Sequence, residues 1–262
     1  MKKIMLSVCA LSAMFLTSCS NEVDMFETIG TPKGTIELNI SNDKEMQVAT
    51  RASDKVADNS TWYATLGSNP QCKVSVLIGK AYTPNTYQLT VSNYESLETA
   101  LTSNNGAGDM YFEGAKSINL VKGTNTITVD CGKAKNSKLT VNWSGTSGVQ
   151  GLKINNVQAT QSSRSYTYSN ASTNDQSAFF KAGEGITCTI NYTYNGDDTK
   201  TLSRTFSSPA AATEYKLNVS ANSNGTITTI TINYDDAFTT GSTESVTIDA
   251  ATGAEVTTPS AK

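Results

Sequence analysis

The feature that most limits the fold is an alternation of period two that recurs along most of the chain. Cys72-Lys-Val74-Ser-Val76-Leu-Ile78, Tyr87-Gln-Leu89-Thr-Val91, Leu139-Thr-Val141-Asn-Trp143, Ile186-Thr-Cys188-Thr-Ile190-Asn-Tyr192 and Tyr215-Lys-Leu217-Asn-Val219 set apolar against polar residues in turn. An extended chain sends successive side chains to opposite faces, so each run predicts a strand with one face buried. Turn chemistry separates the runs at intervals of about 8–12 residues, the spacing of β-sandwiches. Asn195-Gly196 and Asn224-Gly225 are hairpin turns, because Asn-Gly accepts positive φ at both central positions. Lys122-Gly-Thr-Asn125 predicts another hairpin, joining Ile118–Leu120 to Thr126–Cys131. One short helix is predicted between Ser92 and Leu101, where Tyr94, Leu97 and Leu101 fall at helical spacing.

At 262 residues and 37% hydrophobic content the chain suits one large or two ordinary domains with buried cores. Met110-Tyr-Phe-Glu-Gly114 before a strand is echoed by Ala178-Phe-Phe-Lys-Ala-Gly183 before another. The expected architecture is therefore all-β: two tandem antiparallel β-sandwich domains, residues 34–135 and 136–235. Residues 236–262 form a polar tail with one more strand, Ser245-Val-Thr-Ile248, which pairs with this molecule's sheet or with another's.

There is no histidine, which removes the commonest general base, the usual transition-metal ligand and every Ser-His or Cys-His nucleophile. We expect no enzyme, no catalytic residue, no cofactor and no metal site. A net charge of −3 without a basic cluster speaks against nucleic acid as a partner. Cys72, Cys131 and Cys188 sit at inward-facing parity and read as buried thiols, a disulfide between two of them being the alternative. Asp197-Asp198 and Asp235-Asp236 read as hydrated turn and linker acids, since neither pair comes with the spaced oxygen ligands of a calcium loop. Ser41-Asn-Asp-Lys44 has the form of a Ser-x-x-Lys motif, but it follows a strand and no Lys-Thr-Gly accompanies it.

Residues 1–18 read as a signal peptide: two lysines, then an apolar stretch too short for a permanent span. The segment ends Leu16-Thr17-Ser18-Cys19, which resembles a bacterial lipobox. That resemblance implies a diacylglycerol on Cys19 and a membrane partner reached through the lipid anchor. The acidic run Ser20-Asn-Glu22-Val-Asp24 resembles the export signal of Bacteroidetes surface lipoproteins, which implies the outer membrane with the protein facing outward. Residues 19–33 then form a tether.

Gly34-Thr-Ile36-Glu-Leu38-Asn-Ile40 is the first strand, and the chain beyond it turns polar up to Arg51-Ala52. Together with Tyr87-Gln-Leu-Thr-Val91, Tyr111-Phe-Glu-Gly114 and Asn125-Thr-Ile-Thr-Val-Asp-Cys131 before Lys138-Leu-Thr-Val141, this pattern resembles a Bacteroidetes lipoprotein family of unassigned function. More distantly it resembles the fimbrillins that build donor-strand pili. The resemblance implies an Ig- or transthyretin-like sandwich pair. It also implies processing at Arg51-Ala52, release of strand 34–40, and strand exchange with other fimbrial subunits. The other reading of Arg51 is a solvated loop residue.

Aromatic residues are the candidate ligand contacts. Trp62 and Tyr63, and Tyr166 and Tyr168 beside Arg164, have the makings of a stacking platform for a glycan; they equally suit a core. The expected function is that of a non-enzymatic surface lipoprotein, a fimbrillin-like subunit or adhesion protein, with carbohydrate binding as the alternative.

Overall fold

The computed structural model describes residues 32–41, 61–144, 149–169, 176–223, 228–236, 244–252, 254 and 256. Cys19, Arg51, Ala52 and the Asn224-Gly225 turn lie outside the described residues.

The first half runs β1 (Gly34–Ser41), β2 (Tyr63–Leu66), β3 (Cys72–Lys73), α1 (Val74–Ile78), β4 (Ala81–Tyr82), β5 (Asn85–Ser92), α2 (Leu97–Thr102), β6 (Glu113–Leu120) and β7 (Gly123–Asp130). Its strands form two sheets, ordered β4-β1-β7 and β3-β2-β5-β6. The second half runs β8 (Asn136–Ser144), β9 (Leu152–Gln161), β10 (Arg164–Ser169), β11 (Gln176–Lys181), β12 (Ile186–Tyr194), β13 (Lys200–Phe206) and β14 (Glu214–Ser223). Then come β15 (Thr228–Asp236) and β16 (Glu244–Asp249). These strands form β11-β8-β14-β15-β16 and β10-β9-β12-β13.

The two halves repeat one seven-strand plan. Each strand of β4-β1-β7 and β3-β2-β5-β6 has its counterpart seven places later, in β11-β8-β14 and β10-β9-β12-β13. Polarity repeats as well. β1 runs antiparallel to β4 and parallel to β7, and β8 runs antiparallel to β11 and parallel to β14. The sandwiches expected to be antiparallel therefore each hold one parallel pair, made by the first and seventh strands. A parallel pair needs a crossover, and the five intervening strands supply it. Among the described residues the hairpin β15-β16 is the one strand addition, and it places the tail strand antiparallel on β15 of the same molecule.

Alternation in the sequence becomes burial in the structure. Along β12 the inward residues Ile186, Cys188, Ile190 and Tyr192 are buried, while the residues between them are partly exposed. One core gathers Leu139, Val141, Val157, Phe180, Ile190, Leu217 and Val219 between the second pair of sheets. The other gathers Ile36, Trp62, Leu66, Leu89, Val91, Leu120 and Val129 between the first pair. Each such side chain contributes about 1.5–3 kcal/mol by leaving water.

The structure corrects two expected elements. Val74–Ile78 is one turn of helix, not the continuation of a strand: Val74 and Leu77 are buried, while Val76 and Ile78 face water. A five-residue run with four apolar positions does not distinguish a strand from a helix by periodicity alone, and the i, i+3 pair is what the core accepts. Lys122–Asn125 does not close a hairpin either, because β6 and β7 belong to different sheets. The turn carries the chain from one sheet to the other, with Gly123 at φ 94°. Asn125 ties it down: its Oδ1 accepts from Val121 N at 3.0 Å, and its Nδ2 donates to the carbonyls of Val121, Gly123 and Thr35. The predicted helix is present as α2, beginning at Leu97 after the cap Ser96, whose hydroxyl accepts from Thr99 N at 3.1 Å. Asn195 and Gly196 take φ of 52° and 81° between β12 and β13, the positive-φ hairpin expected of Asn-Gly.

Candidate functional site

The strand that opens the first half has unequal flanks. On one side β1 pairs with β7 in register from Gly34↔Gly123 to Ser41↔Asp130. On the other side β4 pairs only with Gly34 and Thr35. The counterpart flank of β8 is paired with β11 from Asn136 to Val141. Among the described residues, then, Ile36–Ser41 has no ladder partner on its second flank. Leu38 and Ile40 point toward the core yet stay half-buried, whereas Leu139 and Val141 of β8 are fully buried. Unpaired backbone N–H and C=O groups above a partly uncovered apolar row are the elements of a strand-accepting edge. Gly34 is required at the start of β1, because a Cβ there would lie 2.3 Å from the Val121 carbonyl oxygen.

The aromatic candidates do not form one platform. Trp62 is 1% exposed and belongs to the core of the first half. Tyr63 is half-buried, with the Lys73 ammonium 3.4 Å from its ring centroid, so one face of the ring is already taken. Tyr168 is fully buried, its hydroxyl donating to Leu139 O at 3.0 Å. Burial pushes that phenol's pKa well above its ordinary value. Tyr166 is half-buried and meets Tyr168 edge-on, centroids 4.9 Å apart. The stacking role expected of Trp62 and Tyr168 is thus corrected: rings closed inside a core offer no face to a sugar.

Arg164 has a different task from the one expected. From β10 it reaches into the first half and donates to the carbonyl oxygens of Leu101, Gly106 and Ala107 at the end of α2 and the turn after it. Its guanidinium carbon lies 5.3 Å from the Phe180 ring centroid. Nearby, Phe179 N donates to Ala107 O at 2.8 Å and Lys181 pairs with Glu98 at 2.5 Å. Asn136 completes the junction, accepting from Tyr111 N and donating to Asp109 O. No local pattern announces this clamp, because its partners are backbone carbonyls about 60 residues away in the chain.

The buried thiols offer no nucleophile. Desolvation pushes Cys188 up to about 12 and Cys131 up to about 11, so neither carries thiolate at neutral pH. Cys131 instead directs its sulfur to Val91 O at 3.8 Å. Cys72 is half-buried at the edge of the same core.

A family model described as a domain of unknown function (DUF4493) matches residues 32–250. No curated protein matches the chain. Among solved structures, a protein of Bacteroides fragilis named for cell adhesion is 12% identical, with TM-score 0.39, over 81% of this chain and 97% of that one. The fimbrial anchor protein Mfa2 of Porphyromonas gingivalis is 10% identical, with TM-score 0.39, over 78% of this chain and 98% of that one. A fimbrial assembly protein of Parabacteroides distasonis is 10% identical, with TM-score 0.37, over 71% and 90% of the two chains.

Proposed function

The chain belongs to the DUF4493 family, and from that premise we propose that it is a non-enzymatic, adhesin-like protein of the cell surface that acts as a fimbrillin-like subunit. In this reading lipid on Cys19 delivers it to the outer face of the outer membrane, and residues 34–135 and 136–235 are its two domains. The observation that carries the reading is the half-paired flank of β1, beside Leu38 and Ile40. Cleavage at Arg51-Ala52 would leave β1 held by its ladder to β7, by its two-residue pairing with β4 and by Ile36, Leu38 and Ile40. A strand from a neighbouring subunit, presenting alternate apolar residues, would replace it at little net loss of hydrogen bonds.

Mass spectrometry of the native protein from surface-labelled cells tests this. We expect a lipidated form starting at Cys19, a processed form starting at Ala52, and a ladder of denaturant-resistant oligomers that Arg51→Ala abolishes. Surface protein that begins only at Cys19 and runs as a monomer would overturn the subunit role. An unlipidated chain confined to the cytoplasm would overturn the location as well.

A further inference from the structure

The outer face of the sheet β10-β9-β12-β13 carries an ordered array of uncharged polar side chains. Its central rank, read across the strands, is Thr167–Gln158–Thr189–Ser203. The ranks through Thr187 and Asn191 on either side are built in the same way, one residue from each strand. All twelve positions hold serine, threonine, asparagine or glutamine. Neighbours in a rank stand about 4.8 Å apart and successive ranks about 7 Å apart, as the pleat dictates.

The array is already organised. Thr189 and Ser203 share a hydrogen bond of 2.9 Å, as do Thr187 and Thr205, and Asn191 donates to Asn156 at 2.6 Å. These bonds hold the rotamers, and each hydroxyl keeps acceptor capacity toward solvent. The positions are exposed or half-exposed, so core packing does not explain their chemistry. Strand propensity favours threonine but does not explain the missing charges. Even at this chain's own 16% charged content, twelve positions would carry about two charges.

That chemistry selects among partners. Nucleic acid and acidic polymers call for cations, a protein partner for an apolar centre, and a lipid surface for an apolar face or a basic cluster. What remains complementary is a neutral ligand rich in hydroxyls that exchanges hydrogen bonds over a flat surface. We propose that this face is a binding surface for a neutral polysaccharide. The proposal rests on the surface reading above only for access to such a polymer. Each contact is weak, and many anchored copies on one cell would add them through avidity.

Affinity electrophoresis of the purified full-length chain through gels containing a neutral glucan, a neutral mannan or anionic alginate tests it. At least one neutral polymer is expected to retard the protein and alginate is not. Thr189→Lys, at the centre of the array, is expected to weaken retardation at least tenfold. Thr86→Lys, on the first half's sheet, leaves it unchanged. Ser203→Lys on the exposed edge strand gives the same loss should the central variant fold poorly, as its melting curve will report. Passage of the wild type unretarded through both neutral polymers overturns the proposal, as does equal retardation of both array variants or stronger retardation by alginate. Failure here leaves location and strand exchange untouched, because the gel reads neither.

Discussion

Arg164 donates from its guanidinium to the carbonyl oxygen of Gly106 at 2.7 Å, so a side chain of the second half is bound into a turn of the first. Leu101 and Ala107 offer further carbonyls to the same group, which places a cation where α2 exposes its last acceptors. Hydrogen bonds from a charged donor are each worth about 1.5–3 kcal/mol, and partial exposure trims that figure. Arg164→Ala is expected to cost about 2–4 kcal/mol and to split denaturant unfolding into two transitions. Arg164→Lys should recover only part of the loss, since an ammonium lacks the planar fork. An unchanged single transition in Arg164→Ala would remove the clamp from the account.

Alkaline sensitivity follows from the buried acids. Cys188 rises to about 12 and Tyr82 to about 12, both through desolvation, and burial likewise raises Tyr192. A folded-state pKa above the unfolded value means the folded protein holds its proton longer. The stabilisation is complete below the unfolded pKa, near 9 for the thiol and 10 for the phenols, and is lost as pH climbs through the folded values. Stability is therefore expected to be flat to about pH 8.5 and then to fall, by up to roughly 1.4 kcal/mol per pH unit for each group. Cys188→Ala should lower stability at pH 7 but shallow the decline between pH 9 and 11. Parallel wild-type and variant curves would count against the thiol.

Much of the fold was legible in the residues because strand alternation is a local signal. Ile186 to Tyr192 read as a strand and buried the expected face. Asn195-Gly196 read as a turn because its backbone angles are set by two residues. What stayed hidden depends on distant partners. The parallel pairing of β1 with β7 joins residues about 90 apart in the chain, and no period reports polarity. The fates of Trp62, Tyr168 and Arg164 were equally open, since an aromatic on a strand face suits a core or a platform until the opposite layer is known.

Two glycines differ in the room their surroundings leave for a side chain. A Cβ on Gly114 would stand 2.2 Å from Asp130 O and 2.7 Å from Cys131 Sγ. On Gly185 the nearest atoms are ordinary contacts at 3.5 Å. Gly114→Ala is expected to lose about 1–3 kcal/mol by forcing β6 from β7, as overpacking does in cores. Gly185→Ala should fall within about 1 kcal/mol of wild type. Equal midpoints for the two variants in urea would show that the first half yields more readily than this packing implies.

The unequal flanks of β1 and β8 should appear as unequal costs of truncation. Leu139 is fully enclosed, with β11 and β14 on either side of its strand, so Leu139→Ala removes apolar surface and leaves a cavity. A loss of about 2.5–5 kcal/mol is expected. Leu38 points into the other core from a half-paired strand and stays partly wet. Water already reaches it, so Leu38→Ala gives up only part of a transfer energy and creates little void, for about 1 kcal/mol. Ile36, buried two residues earlier and next to the Thr35–Ala81 pair with β4, should behave like Leu139. The diagnostic is the order within β1: Ile36→Ala well above Leu38→Ala in urea unfolding. A Leu38→Ala cost matching Leu139→Ala would mean that the second flank of β1 is closed in solution, and the strand-accepting role would lose its structural basis.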